Sequence, residues 1–318
     1  MTLTWRPLRT EDAKAWSDLS TAMAAADGHQ WIVSPEAAVQ RLTASGFDPE
    51  LDSWAVWDGD HLVAYTTCVV GEEPRFDGKA HAYLSGGVHP NWRLRGIGTE
   101  LIARVEERAR AALREKHPDV TRVLFIESGN DQDPAITLLK DNGFVASRRF
   151  HDMERERPSQ GELPDRSQPA PGIVVRPPTE ADEEQTRLAH NDAFRTHWGS
   201  APSTREEWAE EFRDGKTNLE LSRIAVDGTG RVLAYALVSN RTPERPYVEL
   251  VGSRDEARGM GFGKATLSES LRAMSGNPTV ARTALDVDAD NPFGAARIYQ
   301  DLGFLITNTW SAMEKPVD

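Results

Sequence analysis

The feature that most constrains this sequence is an internal repeat, because several motifs of its first half recur in the same order in its second half. The recurring pairs, offset by 160 to 170 positions, are Trp5-Arg6-Pro7 with Val175-Arg176-Pro177, Leu62–Tyr65 with Val232–Tyr235, Arg93-x-x-Gly96-x-Gly98 with Arg258-x-x-Gly261-x-Gly263, and Asn142-Gly143-Phe144 with Leu302-Gly303-Phe304. Four ordered anchors predict two copies of one fold.

The chain has 318 residues, a length that suits two domains. Proline, glycine and polar residues dominate positions 158–172, and no helical or strand-like periodicity runs through them. This composition is typical of a linker. We therefore predict an N-terminal domain over 1–157, a linker over 158–172 and a C-terminal domain over 173–318.

Composition narrows the function classes. The net charge of −13 disfavours nucleic-acid binding and favours cationic partners such as amines. Cys68 is the single cysteine, so we expect a buried thiol, with no disulfide and no cysteine-based metal site. The sequence shows no secretory leader and no apolar stretch of about 20 residues that could span a bilayer. We expect a soluble, cytoplasmic monomer or homodimer that binds no membrane.

Each half alternates strand-like and helix-like segments. In the second half, apolar runs predict strands at Ile173–Arg176, Leu221–Asp227, Val232–Ser239, Tyr247–Gly252 and Val280–Val287, with a final strand pair around Phe304–Glu314. Helices are predicted at Asp182–Phe194, Thr204–Arg213, Leu267–Met274 and Gly294–Leu302, and Thr204 with Glu207 forms a capping box. The fold class is α/β: two tandem domains, each with a twisted mixed sheet flanked by helices.

In each half, the segment Arg-x-x-Gly-x-Gly joins a predicted strand to a predicted helix. Glycines let backbone N–H groups approach a ligand, and a helix start adds unpaired donors and a positive dipole end, so the turn suits a pyrophosphate. The spacing of Gly259, Gly261 and Gly263 differs from a dinucleotide fingerprint, and no Ser or Thr follows Lys264 as a P-loop requires. The remaining alternative is a turn that needs glycine only for its own geometry.

After a strand that ends at Val88-His89-Pro90, this motif resembles the coenzyme A motif of the GNAT superfamily of N-acetyltransferases. The second half adds Asn291-Pro292…Ala296…Tyr299…Gly303-Phe304, which is similar to the ending common in that superfamily. The paired domains resemble tandem, mycothiol synthase-like members, whose C-terminal copy is catalytic. The resemblance implies an enzyme that transfers acetyl directly from acetyl-CoA to a primary amine of a small molecule.

The resemblance also implies how acetyl-CoA is held. The amides of the glycine turn would bind its pyrophosphate, the strand edge before the turn would pair with its pantetheine arm, and an asparagine would hydrogen-bond that arm. The residues so assigned are Leu250, Val251, Gly252, Arg258, Gly259, Met260, Gly261, Phe262, Gly263, Lys264 and Asn291, and in the first half Val88, Arg93, Leu94, Arg95, Gly96, Ile97, Gly98 and Thr99.

Two residues are candidates for catalysis. The resemblance makes Tyr299 the acid that protonates the departing thiolate, since a phenol with a pKa of about 10 suits a thiolate near 8.5 or above. The superfamily's base glutamate, eleven residues before the motif's arginine, is replaced here by Tyr247. Glu249, two residues later on the same strand face, is our candidate base. Further alternatives are His190, His197 and Asp288.

The first half lacks part of this set. Alignment on the Gly-Phe pair puts Leu139 where Tyr299 stands, and the strand His81–Gly87 offers no carboxylate. We therefore expect the first half to keep the CoA-binding fold without efficient catalysis.

His197 and Trp198 lie in a segment without periodicity, where the superfamily forms its acceptor pocket. We predict that they, with Tyr247, recognise a cationic small molecule. The acidic helix from Glu206 to Glu211 either joins this surface or is solvated, with Trp208 and Phe212 packed inward. Two other functions stay open. A non-catalytic acyl-CoA sensor would not need Tyr299, and a protein or peptide N-acetyltransferase would need an open acceptor face.

Overall fold

The structure, a computed structural model, describes residues 3–28, 32–129, 133–157, 170–213 and 217–318. It divides into two compact units. Unit 1 comprises Met1–Pro74, Gly78–Arg148 and Trp310–Asp318, and unit 2 comprises Arg75–Asp77 and Arg149–Thr309. Most of the predicted linker, 158–169, lies outside the described residues. The predicted domain boundaries stay a prediction, and each compact unit also contains a short segment from beyond them.

Twelve strands and nine α-helices lie in the described part of the chain. The strands are β1 Thr4–Arg6, β2 Ser53–Asp58, β3 His61–Val70, β4 Ala80–Val88, β5 Arg122–Ser128, β6 Val145–Glu156, β7 Val174–Arg176, β8 Arg223–Val226, β9 Val232–Thr242, β10 Arg245–Ser253, β11 Arg282–Asp288 and β12 Leu305–Val317. The helices are α1 Ala13–Asp27, α2 Pro35–Leu42, α3 Pro49–Asp52, α4 Ile97–Lys116, α5 Pro134–Asp141, α6 Glu183–Ala193, α7 Arg205–Arg213, α8 Phe262–Ser275 and α9 Ala295–Asp301.

The two units have the same sheet topology. In unit 1 the order is β1-β2-β3-β4-β5-β12, and in unit 2 it is β7-β8-β9-β10-β11-β6. Neighbouring strands are antiparallel except β4 with β5 and β10 with β11, which are parallel. The predicted mixed α/β fold and its duplication are confirmed.

The last strand of each unit comes from the other half of the sequence. Ser311–Val317 of β12 pairs with β5, and Met313 is buried in the core of unit 1. Phe150–Glu156 of β6 pairs with β11, and Met153 is buried in the core of unit 2. The predicted strand pair around Phe304–Glu314 is wrong, because the chain stays extended through Asn308 and β12 is one strand.

The sheet of unit 2 is covered on both faces. One face packs on α8 and α9 through a cluster that includes Val248, Leu267, Leu271, Leu285, Val287, Tyr299 and Phe304. The other face packs on α6 and α7 through a cluster that includes Trp208, Phe212, Ile224, Tyr235 and Leu237. Trp208 and Phe212 therefore pack inward, which is one of the two readings of that helix. Its capping box is confirmed, since Thr204 and Glu207 exchange hydrogen bonds.

Cys68 is a buried free thiol, as predicted, and burial raises its pKa to about 12. A thiol in that state is neutral and unreactive at pH 7. Among the described residues, no helix combines the length and apolar character needed to cross a membrane.

Candidate active site

The glycine turn of unit 2 joins β10 to α8 through a 3-10 turn at Asp255–Ala257. Gly259 and Gly261 have φ angles of +76° and +81°, in the left-handed region that favours glycine. A Cβ at either position would meet nothing within 4 Å, so backbone conformation requires the glycine. At Gly263 the reason is space, because a Cβ would lie 3.0 Å from Ser253 Oγ.

The first turn of α8 offers backbone donors to an anion. Gly261 is the N-cap, and Ala265 N donates to Gly261 O. The amides between them have no acceptor within the helix, and the helix dipole adds a positive potential. The turn exposes Met260 and buries Phe262, so what it presents near the helix start is largely backbone. These features fit the diphosphate of a nucleotide-bearing ligand.

Arg258 fastens this turn to its surroundings. Its Nη1 donates to Asp255 Oδ1 at 2.6 Å, and its Nη2 donates to the Ala193 carbonyl at 2.7 Å. Its guanidinium carbon lies 4.3 Å from the centre of the Phe293 ring, a cation–π contact. The contacts link α6, the turn and the loop before α9. A contact between Arg258 and phosphate stays a prediction.

The parallel strands β10 and β11 separate just before the glycine turn. Their register is the single pair Tyr247 with Ala284, although β10 continues to Ser253. The corresponding strands of unit 1 pair at every position from Ala80 to Leu84, and β4 then continues to Val88 without pairing to β5. The separation in unit 2 leaves the Leu250–Gly252 edge available for an extended ligand, as strand addition requires.

A bulge in β10 accompanies the separation. The register with β9 shifts between Val248 and Leu250, so Glu249 is the extra residue. No shift occurs between β3 and β4 in unit 1, which therefore has no equivalent of Glu249. The carboxylate of Glu249 accepts a hydrogen bond from Ser239 Oγ at 2.5 Å, and the side chain is half-buried.

Gly252 lies over a buried tyrosine. A Cβ there would be 2.4 Å from the Tyr235 hydroxyl, so a side chain at this position is excluded. The Tyr235 hydroxyl and His190 Nδ1 are hydrogen-bonded at 2.8 Å. The His190 ring stacks on Phe194 at 4.5 Å and contacts Trp208 at 4.9 Å. This network fixes α6 and α7 beneath the candidate pantetheine edge.

We expect His190 to make unit 2 sensitive to acid. Burial lowers its pKa from 6.5 to about 4, so the folded state stays neutral where the unfolded state binds a proton. The contribution of neutral His190 to the free energy of unfolding is therefore complete above pH 6.5, and it is lost as the pH falls toward 4. Between pH 7.5 and 5 the loss is about 2 kcal/mol. Urea unfolding at both pH values measures this loss. In the His190→Gln variant, the free energy of unfolding should differ much less between the two pH values. An equal pH dependence in both proteins would contradict the assignment.

Tyr299 lies on α9 at 9% exposure. Among the described residues its hydroxyl has no hydrogen-bond partner, yet it is not one of the fully enclosed unpaired polar atoms. Burial raises the pKa of the phenol, and the nearby Asp286 carboxylate raises it further. The phenol is therefore protonated at neutral pH and can donate to a ligand.

Asn291 lies in the loop between β11 and α9. Its side-chain oxygen accepts a hydrogen bond from Phe293 N at 2.9 Å, which holds the loop. Its predicted hydrogen bond to the cofactor arm stays a prediction, and its side-chain nitrogen is the group that would donate it.

A tyrosine–carboxylate pair joins β10 to β11, and the sequence analysis did not predict it. The Tyr247 hydroxyl donates to Asp286 Oδ1 at 2.7 Å. In unit 1, the Tyr83 hydroxyl donates to Glu127 Oε2 at 3.3 Å between β4 and β5. In both units the acceptor lies two residues beyond the tyrosine's register partner. The available signal was a charged residue, Asp286, between the apolar Leu285 and Val287 of one strand.

The glycine turn of unit 1 has the same backbone geometry, with Gly96 at φ +81°. Arg93 forms a bidentate ion pair with Asp27 at 2.6 and 2.7 Å and donates to the Val88 carbonyl. Leu94 also adopts a positive φ of 60°. Arg93 is thus engaged by a carboxylate of α1.

The other predicted contacts of unit 1 lie around this turn. Arg95 donates to a backbone carbonyl in the turn, Ile97 is buried, and Thr99 is exposed on the first turn of α4. A Cβ at Gly98 would lie 2.9 Å from Leu138.

Leu139 occupies the position of Tyr299. Phe144 N donates to the Leu139 carbonyl, as Phe304 N donates to the Tyr299 carbonyl. Leu139 is buried in the core of unit 1. Unit 1 therefore places an aliphatic group where unit 2 has a phenol.

His197 and Trp198 lie together in the loop after α6. His197 Nδ1 lies 3.0 Å from the Trp198 carbonyl. The guanidinium of Arg75 lies 5.4 Å from the centre of the Trp198 ring, and Phe76 N donates to the Ser200 carbonyl. A cation of the chain itself therefore occupies one face of Trp198. Recognition of a cationic ligand by Trp198 stays a prediction, as do base roles for His197 and Asp288.

Comparison with known families identifies the class of this protein. The model of the acetyltransferase (GNAT) family matches residues 14–144 and 184–304, one stretch in each half. The two matches cover well over half of the chain. The protein belongs to the GNAT family of acetyltransferases and is an acyltransferase. This confirms the resemblance found in the sequence.

Two similar relatives carry the same name. A mycothiol acetyltransferase of Kineococcus radiotolerans is 31% identical over 294 residues, which cover 90% of this chain and 87% of the relative. A mycothiol acetyltransferase of Saccharopolyspora erythraea is 28% identical over 249 residues, or 77% of this chain and 79% of the relative.

Two solved structures share the whole architecture. A GCN5-related N-acetyltransferase from Sphaerobacter thermophilus aligns with a TM-score of 0.77 over 99% of this chain and 95% of its own, at 24% identity. A tandem GNAT protein from the clavulanic acid biosynthesis pathway aligns with a TM-score of 0.71 over 99% of this chain and 98% of its own, at 21% identity. These likenesses establish the tandem fold.

Proposed function

We propose that unit 2 transfers the acetyl group of acetyl-CoA to a primary amine of a small molecule. The observation that carries the proposal is the combination, in one unit, of the glycine turn, the separated strands and the phenol of Tyr299. Unit 1 has the turn, and its β4 also continues beyond its last pair with β5, but it has Leu139 where unit 2 has the phenol. We therefore assign catalysis to unit 2.

Acetyl-CoA fits the residues of unit 2. The amides at the start of α8 would hold its pyrophosphate, and Arg258 would lie beside it. The Leu250–Gly252 edge would pair with its pantetheine arm, where Gly252 keeps the strand surface flat, and Asn291 would donate to that arm. Acetyl-CoA supplies an acetyl group activated as a thioester.

Tyr299 would donate a proton to the sulfur as the thioester bond breaks. Its raised pKa keeps the phenol protonated until the thiolate forms. A phenol is also compatible with neutral pH, since it is protonated before the reaction. Glu249, on the bulge, would accept a proton from the amine, directly or through water.

The acceptor is a small molecule with a primary amine. The name of the relatives, mycothiol acetyltransferase, makes the unacetylated form of mycothiol the first acceptor to test. The net charge of −13 favours a cationic acceptor.

A matched pair of glycine variants tests the assignment to unit 2. Gly261→Ala and Gly96→Ala place the same side chain at the same φ of +81°, so each strains its turn similarly, by about 1–2 kcal/mol. We expect Gly261→Ala to raise the KM for acetyl-CoA at least about tenfold, because the cradle amides move. Gly96→Ala should keep turnover within about twofold.

The assay follows CoA release with a thiol reagent across unacetylated mycothiol, aminosugars, aminoglycosides, polyamines, amino acids and lysine peptides. For an acceptor that itself carries a thiol, mass spectrometry measures the acetylated product instead. Loss of turnover in Gly96→Ala with intact folding would refute the assignment to unit 2. Tight acetyl-CoA binding without transfer to any of these amines would instead favour an acyl-CoA sensor.

A further inference from the structure

The Tyr247–Asp286 pair lies on the opposite face of the sheet from Tyr299. Val248 belongs to the cluster that packs on α8 and α9, so its neighbour Tyr247 points to the other face. Leu285 and Val287 belong to the same cluster, so Asp286 also points away from it.

The gap between β10 and β11 lies between the two side chains. The Asp286 carboxylate is near enough to Tyr299 to help raise the pKa of its phenol. The strands pair only at Tyr247 with Ala284, so the gap opens beside Asp286. Asp286 is exposed, whereas Tyr247 is buried at 6% exposure. A thioester in the gap would have a proton donor on one face and a carboxylate on the other.

The hydrogen bond from Tyr247 orients this carboxylate. It joins Tyr247 Oη to Asp286 Oδ1 at 2.7 Å. Unit 1 repeats the pair with Tyr83 and Glu127 in a looser form, at 3.3 Å. The repetition shows that the pair is part of the duplicated architecture and not an incidental surface contact.

We propose that Asp286, oriented by Tyr247, binds the ammonium of the acceptor and removes its proton. The proposal rests on the proposed acetyl transfer and names the group that receives the amine. Glu249 serves less well as the first contact, since Ser239 already donates to it at 2.5 Å and it is half-buried. It then accepts the second proton that the nitrogen loses and passes it to solvent.

The proton balance is simple. The ammonium gives one proton to Asp286, and the freed lone pair forms the C–N bond while the C–S bond breaks. The nitrogen loses a second proton to solvent, and the sulfur takes one from Tyr299. Asp286 then returns its proton, through water, to Tyr299, so the cycle releases one net proton.

The test measures amine binding and acetyl transfer separately. Isothermal calorimetry titrates spermidine, glucosamine, kanamycin, lysine and unacetylated mycothiol into the full-length protein saturated with CoA. The same amines are assayed for kcat and KM with acetyl-CoA. The variants are Asp286→Asn, Tyr247→Phe and, as a control with the same charge change, Asp301→Asn. Asp301 is exposed at the end of α9.

We expect the best-bound amine to lose about tenfold or more in affinity in Asp286→Asn, because a charge-assisted contact is removed. Tyr247→Phe should lose less, because it removes only the orienting hydrogen bond. CoA affinity should not change in either variant, and Asp301→Asn should resemble the wild type throughout. Circular dichroism melting verifies that each variant is folded.

Equal amine affinity in Asp286→Asn and wild type would overturn the proposal, and so would failure of all five amines to bind the wild type. Amine binding that depends on Asp286, without transfer to any amine, would uphold the ammonium site and refute the proposed acetyl transfer. Acetyl transfer with an unchanged KM for the amine in Asp286→Asn would uphold the proposed acetyl transfer and refute the ammonium site.

Discussion

Tyr299→Phe is expected to lower kcat by about 10²–10³-fold while leaving the affinity for acetyl-CoA unchanged. The change removes one oxygen. Because that hydroxyl has no hydrogen-bond partner among the described residues, the core loses no hydrogen bond. What is lost is the proton for the departing sulfur. Stopped assays of CoA release give kcat, and quenching of tryptophan fluorescence gives the affinity.

Tyr65→Phe is the matched control, because Tyr65 is also a buried tyrosine and lies in the core of unit 1. It should retain full turnover. Comparable losses in Tyr299→Phe and Tyr65→Phe would indicate a general packing effect and contradict an acid role for Tyr299. A normal kcat in Tyr299→Phe would remove the main ground for placing catalysis in unit 2.

Removing residues 310–318 is expected to unfold unit 1 while unit 2 stays folded. These residues supply the strand segment that pairs with β5, and Met313 and Val317 are buried in the core of unit 1. Unit 2 ends at Thr309 and loses none of its own residues. Hydrogen exchange followed by mass spectrometry separates the two responses, because β2–β5 should lose protection while β8–β11 keep it.

A point variant gives the same test without truncation. Met313→Ala should lower the free energy of unfolding of unit 1 by about 2–4 kcal/mol, because Met313 is fully buried. Met153→Ala, on the exchanged strand of unit 2, should do the same to unit 2. If Met313→Ala destabilised unit 2 instead, the assignment of β12 to unit 1 would be refuted.

Much of the fold followed from local patterns in the sequence. The repeat anchors predicted two copies, and the capping box of Thr204 predicted the start of α7 at Arg205. The exchange of β6 and β12 was not predictable, because strand pairing between distant segments leaves no periodic signal within either segment. The strand pair expected around Phe304–Glu314 is the single strand β12, whose extent is set by its pairing with distant strands.

The candidate site was predicted unevenly for a similar reason. Positions with a fixed spacing, such as Gly261 and Tyr299, were found because a turn and a helix impose that spacing on the sequence. Asp286 was missed, since its partner Tyr247 is 39 residues away and only the parallel pairing brings them together. The bulge at Glu249 was also not predicted, because an extra residue is recognised only by comparison with the strand that pairs with it.

The exchanged strand has a consequence for synthesis. A domain made of one uninterrupted stretch can fold as soon as it leaves the ribosome, at about 5–20 residues per second. Unit 1 cannot close its sheet until residues 310–318 emerge, long after Arg148 has been made. During that interval β5 presents an unsatisfied edge, which invites pairing with other chains. Unit 2, whose last residue is Thr309, is the first of the two to be complete.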